Sequence, residues 1–404
     1  MKTVQKWPRL KAIVVRLAFG LVAFGTLAAA AEPPAASGPI LDLRYRHESV
    51  DDGAFSLNAS ADTVRLHLGY RWVFASGWQA LLEGEHVEGL FAEHYNSTAN
   101  GRSQFPTVAD PEGSEINQAW IGYADAQWRT RLGRQEILLD NQRFFGNVGW
   151  RQNEQTFDAL TSGYAFSSGG PSVSYTYLDR ALRVFGHDNP NPLLREWSLD
   201  GHLFHLDQTL PLGALNAYAY LVENNDIATL STRTVGVRWT GKQALAKSTL
   251  GWAVEWADQS DYANNPLSQH AHYHLIEPTL QLHGITLKAG WEVLGGNGHY
   301  GFSTPYATLH AFNGWADRFL NTPVGGLDDR YLGIGGKVGK ANWSTTFHDF
   351  RADQGNDAYG HEFDASIGYT FNAHFSGLVK IADYRSDGFG SDVRKLWASV
   401  EYTY

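Results

Sequence analysis

The alternation of apolar and polar side chains is the feature that most restricts this chain. In the segment 394–404 (RKLWASVEYTY), Leu396, Ala398, Val400, Tyr402 and Tyr404 fall on one face. Lys395, Trp397, Ser399, Glu401 and Thr403 fall on the other. A period of two belongs to a strand with one apolar and one polar side. The same grammar recurs upstream. Val64, Leu66, Leu68, Tyr70 and Trp72 oppose Arg65, His67, Gly69 and Arg71. Leu250, Trp252, Val254 and Trp256 oppose Gly251, Ala253 and Glu255, and Phe363, Ala365, Ile367, Tyr369 and Phe371 oppose Asp364, Ser366, Gly368 and Thr370. No helix-length apolar stripe occurs in the sequence.

Scanning for this pattern predicts about 18 strands, an even number as single-chain bacterial barrels have. Their links alternate between tight and long. Tight ones fall at Ser76-Gly77, Ser168-Gly169, Gly241-Lys242 and Gly339-Lys340; long ones cover 93–113, 138–154, 182–193, 259–269 and 296–326. Short periplasmic turns and long outer loops are the rule for that class, and the parity puts both chain ends on the periplasmic side. A last strand that stops on an aromatic ring resembles the terminal signal of bacterial outer-membrane barrels. Unpaired backbone groups in hydrocarbon are too costly to leave, so such a sheet must close, the strand at Ile40 against the strand at Tyr404. The expected fold class is all-β, a transmembrane antiparallel β-barrel. A soluble propeller or β-helix would show a repeat of fixed length, and none is found. Pro278, inside a strand, predicts a bulge or a switch of parity.

Composition agrees. Glycine (42 residues) and aromatics (13%) run through all 404 residues without a break. Mean hydropathy is −0.32, which alternation explains, because a lipid-facing strand gives half its residues to a polar lumen. There is no cysteine, hence no disulfide framework and no thiolate site. Residues 1–31 read as a cleaved signal peptide. Lys2, Lys6, Arg9, Lys11 and Arg16 precede the apolar run Leu17–Ala31, which ends in Ala29-Ala30-Ala31. The expected organisation is 1–31 signal peptide, 32–39 periplasmic leader and 40–404 barrel. Lys and Arg number 32 against 42 Asp and Glu, and five of the cations sit in the signal peptide, so the mature chain is acidic and a poor general partner for nucleic acid. The expected location is the bacterial outer membrane, in contact with lipid and lipopolysaccharide.

Two stretches carry a family resemblance. Residues 133–160 read GRQEILLDNQRFFGNVGWRQNEQTFDAL, and residues 304–333 read TPYATLHAFNGWADRFLNTPVGGLDDRYLG. Both are similar to the alginate export family of outer-membrane proteins. The resemblance implies a monomeric barrel of about 18 strands with a narrowed, charged pore, in which lumen arginines guide an acidic polysaccharide. The positions matching its motifs are Arg134, Arg143 and Arg151, with Asp158 as a partner. It also implies that His310–Leu320, in the longest loop, folds over or into the mouth.

Strand parity places Arg44, Arg46, Arg65, Arg71, Arg131, Arg180, Arg238, Lys288, Lys337, Lys380 and Lys395 in the lumen. It places Asp42, Glu83, Glu85, Glu255, Glu292, Glu362, Asp364 and Glu401 there too, so charge alone does not make an anion pore. Guanidinium matches carboxylate bidentately, which suits uronate sugars. The expected pore-lining set is Arg65, Arg71, Arg131, Arg134, Arg143, Arg151, Arg238 and Lys288. The bland alternative is that these cations pair with lumen acids and brace the wall. Arg134 shares the parity of Leu132 and faces outward unless the register shifts at Gly133. His270, His272 and His274 share one face, read as a solvated lumen wall or a pH-sensitive patch rather than a zinc site. No cofactor, metal or catalytic residue is expected, since no local signature pairs a serine with a histidine. The expected function is a porin for passive diffusion of a polar solute, an acidic saccharide such as alginate or uronate oligomers. The alternatives are a porin without saccharide specificity, an outer-membrane enzyme and a loop-based receptor.

Overall fold

The computed structural model describes residues 36–91, 94–355 and 357–404. The expected signal peptide at 1–31 and the first part of the expected leader lie outside the described residues. The first strands are β1 (Gly38–Asp52), β2 (Ala59–Val73), β3 (Trp78–Gly89), β4 (Gly113–Ala124), β5 (Trp128–Gln135) and β6 (Thr156–Ala165). They are followed by β7 (Ser172–Leu182), β8 (Glu196–Leu210), β9 (Gly213–Asn224), β10 (Thr232–Ala244), β11 (Ser248–Asp261) and β12 (His270–Leu282). The last are β13 (Ile285–Leu294), β14 (Leu327–Val338), β15 (Ala341–Arg351), β16 (Ala358–Thr370), β17 (Phe375–Ser386) and β18 (Val393–Thr403). Each pairs antiparallel with its sequence neighbours, and β1 pairs with β18, Asp42 opposite Thr403 and Asp52 opposite Val393. The sheet of 18 strands is therefore a closed barrel with no free edge. Tight turns cluster at one end. At His283-Gly284 both residues have positive φ, 49° and 81°, the hairpin geometry whose twist matches the strands.

Burial follows the pleat, but inverted. On β2, Ala59, Ala61, Thr63, Arg65 and His67 point inward and are buried, while Leu68, Tyr70 and Trp72 point outward and are exposed. Leu68, Leu132, Leu332 and Val338 are 59%, 58%, 68% and 71% exposed. An apolar band of that extent is a liability in water and is what a lipid bilayer solvates. Toward the turn end it is edged by aromatic pairs. Tyr70–Trp72, Trp128–Tyr164, Trp239–Trp252 and Phe375–Tyr402 have ring centroids 5.0, 4.7, 5.3 and 4.9 Å apart. Amphipathic rings settle at such a lipid–water boundary.

Three departures from the sequence reading have physical causes. Pro278 produces no bulge and no switch of parity. The β12–β13 ladder runs from Ile276–Trp291 to Thr279–Lys288 without the two pairs between them and in unchanged register. A missing donor costs one rung, and alternation persists with Glu277 and Thr279 both buried. Arg180 does not face the lumen. The register shifts between Leu178 and Arg180, and the inserted residue turns Arg180 outward to Glu196 at 2.7 Å. His270, His272 and His274 also face outward, since Ala271 and Tyr273 between them are buried.

Candidate functional site

The bore of the barrel has two unlike halves. At the loop end, residues 136–155 and 295–326 fold inward and pack together. Gly146 N–H donates to Tyr306 O at 2.9 Å, and Thr308 N–H to Gln142 O at 3.0 Å. Between them and the wall lies an aromatic core. Phe144 meets Tyr218, Tyr273 and Phe302 with centroids 5.4, 5.5 and 5.9 Å apart, and Phe145 stacks on Tyr306 at 5.4 Å. The sequence places these rings in loops and on polar faces of strands, where no periodicity marks them.

Arginines bolt this packed segment to the wall. Arg143 reaches Glu292 on β13 at 2.9 Å and Asn313 of the other loop at 2.9 Å, with its guanidinium 4.7 Å from the Phe312 ring centroid. Arg151 bridges Glu48 on β1 at 3.1 Å and Asp317 at 3.2 Å. From the wall, Arg46 pairs with Asp110 and caps Trp150 O, while Arg44 holds Gly149 O at 3.0 Å. Arg65 ties Asp42 at 2.5 Å to Glu154 of the loop at 3.5 Å. Arg238 is closed on Glu255. Arg65, Arg143, Arg151 and Arg238 are all buried, so their charge is spent inside the protein. A buried pair of this kind contributes little net stability, but loss of one partner strands a charge.

Loop carboxyls answer to this field. Burial would raise Asp110, yet Arg46 and Arg151 outweigh it and hold it below the usual carboxylate range. Burial would likewise raise Asp317, but His310, Lys395 and Arg151 hold it well below. Glu136 behaves oppositely. Burial, and then the carboxylate of Glu154 beside it, push it up to about 8, and Asn147 Nδ2 donates to it at 2.6 Å. At the other end of the loop burial would raise Glu154 too, but His67 and Arg65 outweigh it and hold it below the usual carboxylate range.

The turn half is different. Arg71 and Arg131 project into the lumen and have no ion pair among the described residues. Arg131 lies 4.6 Å from the centroid of the inward Trp120 ring, and Arg71 Nε is buried without a hydrogen-bond partner. Arg129, Lys242 and Lys337 join them. All three are exposed, share the lumen parity of Arg131, Arg238 and Asp329 on their own strands, and have no ion pair among the described residues. Parity on β5 and β10 would have found Arg129 and Lys242, two and four residues from Arg131 and Arg238. Lys288 is intermediate, 3.6 Å from Glu277 and 5.1 Å from the Tyr331 ring centroid. Arg134 does not line the pore. It shares the outward parity of Leu132 and clasps Asp158 at 2.9 and 3.2 Å on the lipid-facing wall.

Residues 40–167 match the alginate export family model. That match contains the motif stretch at 133–160, and with it Arg134, Arg143 and Arg151; the stretch at 304–333 lies outside it. No curated protein matches the chain in sequence. Among solved structures, Pseudomonas aeruginosa OpdK with vanillate aligns with a TM-score of 0.70 at 12% identity, covering 91% of this chain and 98% of that one. P. aeruginosa OccK2 (OpdF) in complex with glucuronate gives 0.68 at 12%, and Acinetobacter baumannii OccAB4 0.68 at 13%, with the same coverage. At such identities the likeness carries the fold alone, a closed 18-stranded barrel, which with its apolar band belongs in the bacterial outer membrane.

Proposed function

We propose that this porin-like barrel passes small acidic solutes by passive diffusion, with uronate sugars and short uronate oligomers as the substrate class. One observation carries the reading. Three of the cations that keep their charge free, Arg71, Arg129 and Arg131 beside Trp120, sit on the wall from β2 to β5 in the turn half, while Arg46, Arg65, Arg143 and Arg151 in the loop half are paired with acids. Two guanidiniums grip a carboxylate, and an indole face accepts the apolar face of a sugar ring. The packed aromatic core of the loop half favours a narrow path over one for a long polymer, so alginate chains fit less well than their short fragments. A barrel with this fold in OccK2 holds glucuronate, which supports the class. One chain closes its own barrel, so a monomer suffices, and its apolar band takes lipid as partner. Nothing in diffusion through a charged bore requires a catalytic step. The test is single-channel recording in asymmetric salt with glucuronate added. Anion preference and glucuronate block, both reduced by Arg71→Ala and Arg131→Ala, are expected. Cation preference, or block that survives both substitutions, contradicts the proposal.

A further inference from the structure

One cluster beneath the inward loop has no part in the transport reading. Asp140, at a positive φ of 51° in the loop 136–155, reaches the wall at β8, where His205 and Asp207 share the lumen face. His205 Nε2 lies 3.0 Å from Asp140 Oδ2, and His205 Nδ1 lies 3.3 Å from Asp207 Oδ1. One ligand atom from each of the three falls within 4.8 Å of the others. The His205 and Asp140 side chains are 7% and 8% exposed.

A second observation points to an occupant. Tyr220 on β9 is 2% exposed, and its hydroxyl has no hydrogen-bond partner. Its ring stacks on Tyr218 at 4.8 Å, which in turn stacks on His205 at 6.3 Å, and the carboxylates whose field acts on it are Asp140, Glu255 and Asp207. A buried phenol in the field of carboxylates and donating to none of them is the kind of orphan that a bound ion or its water explains. Charge points the same way. Asp140 and Asp207 bring two negative charges, and Arg238, on which Asp140 acts, is closed on Glu255. Even a protonated His205 leaves this pocket negative, whereas a divalent ion beside a neutral imidazole balances it.

We propose that Asp140, His205 and Asp207 bind a divalent transition-metal ion of the zinc class, which fastens the inward loop to the barrel wall. One imidazole with two carboxylates suits zinc, while calcium prefers oxygen ligands alone. Asn216 Nδ2 and Ser172 Oγ, the latter at 3.4 Å, donate to Asp207 and fix its orientation, as outer groups do around a ligating carboxylate. The Tyr220 hydroxyl then donates to a ligand oxygen or to a metal-bound water.

The experiment uses the full barrel in detergent, stripped with chelator and titrated with zinc chloride by calorimetry, with thermal unfolding read in parallel. One equivalent is expected to bind and to raise Tm, with affinity at least tenfold weaker in Asp140→Asn and in His205→Gln. His272→Ala removes an imidazole from the outer surface and is expected to leave binding intact. Asp140→Asn alters only a loop position, so it remains informative where His205→Gln folds poorly. Absence of saturable binding, binding unchanged in both site variants, or binding lost in His272→Ala overturns the proposal; a protonated imidazole spanning two carboxylates would then be the whole latch.

Discussion

The loop half and the turn half of one bore draw on the same residue types and use them in opposite ways. Near the loops, Arg46, Arg65, Arg143 and Arg151 are buried against Asp110, Asp42, Glu292 and Glu48 and act as bolts. Near the turns, Arg71 and Arg131 meet no carboxylate and keep their charge for solutes. The difference teaches that an arginine count along a barrel says little about selectivity. What decides is whether an inward loop delivers acids to neutralise the wall.

The comparison breaks most visibly at Arg151. Arg151→Ala removes the bridge between Glu48 and Asp317, which keep Arg46 and Lys395 as partners, a change expected to cost about 1–3 kcal/mol. Thermal unfolding should show a lower Tm, and single-channel traces a larger and noisier conductance as the loop loosens. An unchanged trace and Tm would mean that the loop is held by its aromatic core alone.

A pH titration sharpens the same contrast. The Glu136 carboxyl rises from an ordinary value near 4.5 to about 8 in the packed loop. The packed loop therefore binds a proton that a released loop sheds between those values, so packing is strongest below about 4.5 and weakens as pH rises toward about 8. Opening events should become more frequent from pH 5 to pH 8, and Glu136→Gln should flatten the profile. The smallest effect belongs to the outer wall. Arg134→Ala removes a partly exposed pair worth about 0.2–1 kcal/mol, and ion selectivity should stay as it was.

Much of the barrel was legible in the sequence because a period of two leaves few alternatives when strands must close in lipid. The expected strand number and alternation hold, and the outward facing of Arg134 followed from Leu132, but the tight link expected at Gly241-Lys242 lies inside β10, whose turn comes only after Ala244. The facing of Arg180 was not legible, since one extra residue at a bulge reverses parity and carries no sequence mark. Pro278 misled in the other direction, because a lost rung need not shift a register. The roles of Arg143 and Arg151 were least visible. Their partners Glu292 and Asp317 lie far along the chain, and only the inward fold of two loops brings them together.

The chain has no cysteine, which permits the most direct test of two unlike halves. Single variants Arg131→Cys, in the turn half, and Ala257→Cys, on the wall beneath the packed loops, are exposed to a membrane-impermeant thiol reagent during channel recording. The account predicts rapid modification and a drop in anion preference at position 131, with no reaction at position 257. Reaction at both positions at comparable rates, or none at 131, would contradict it.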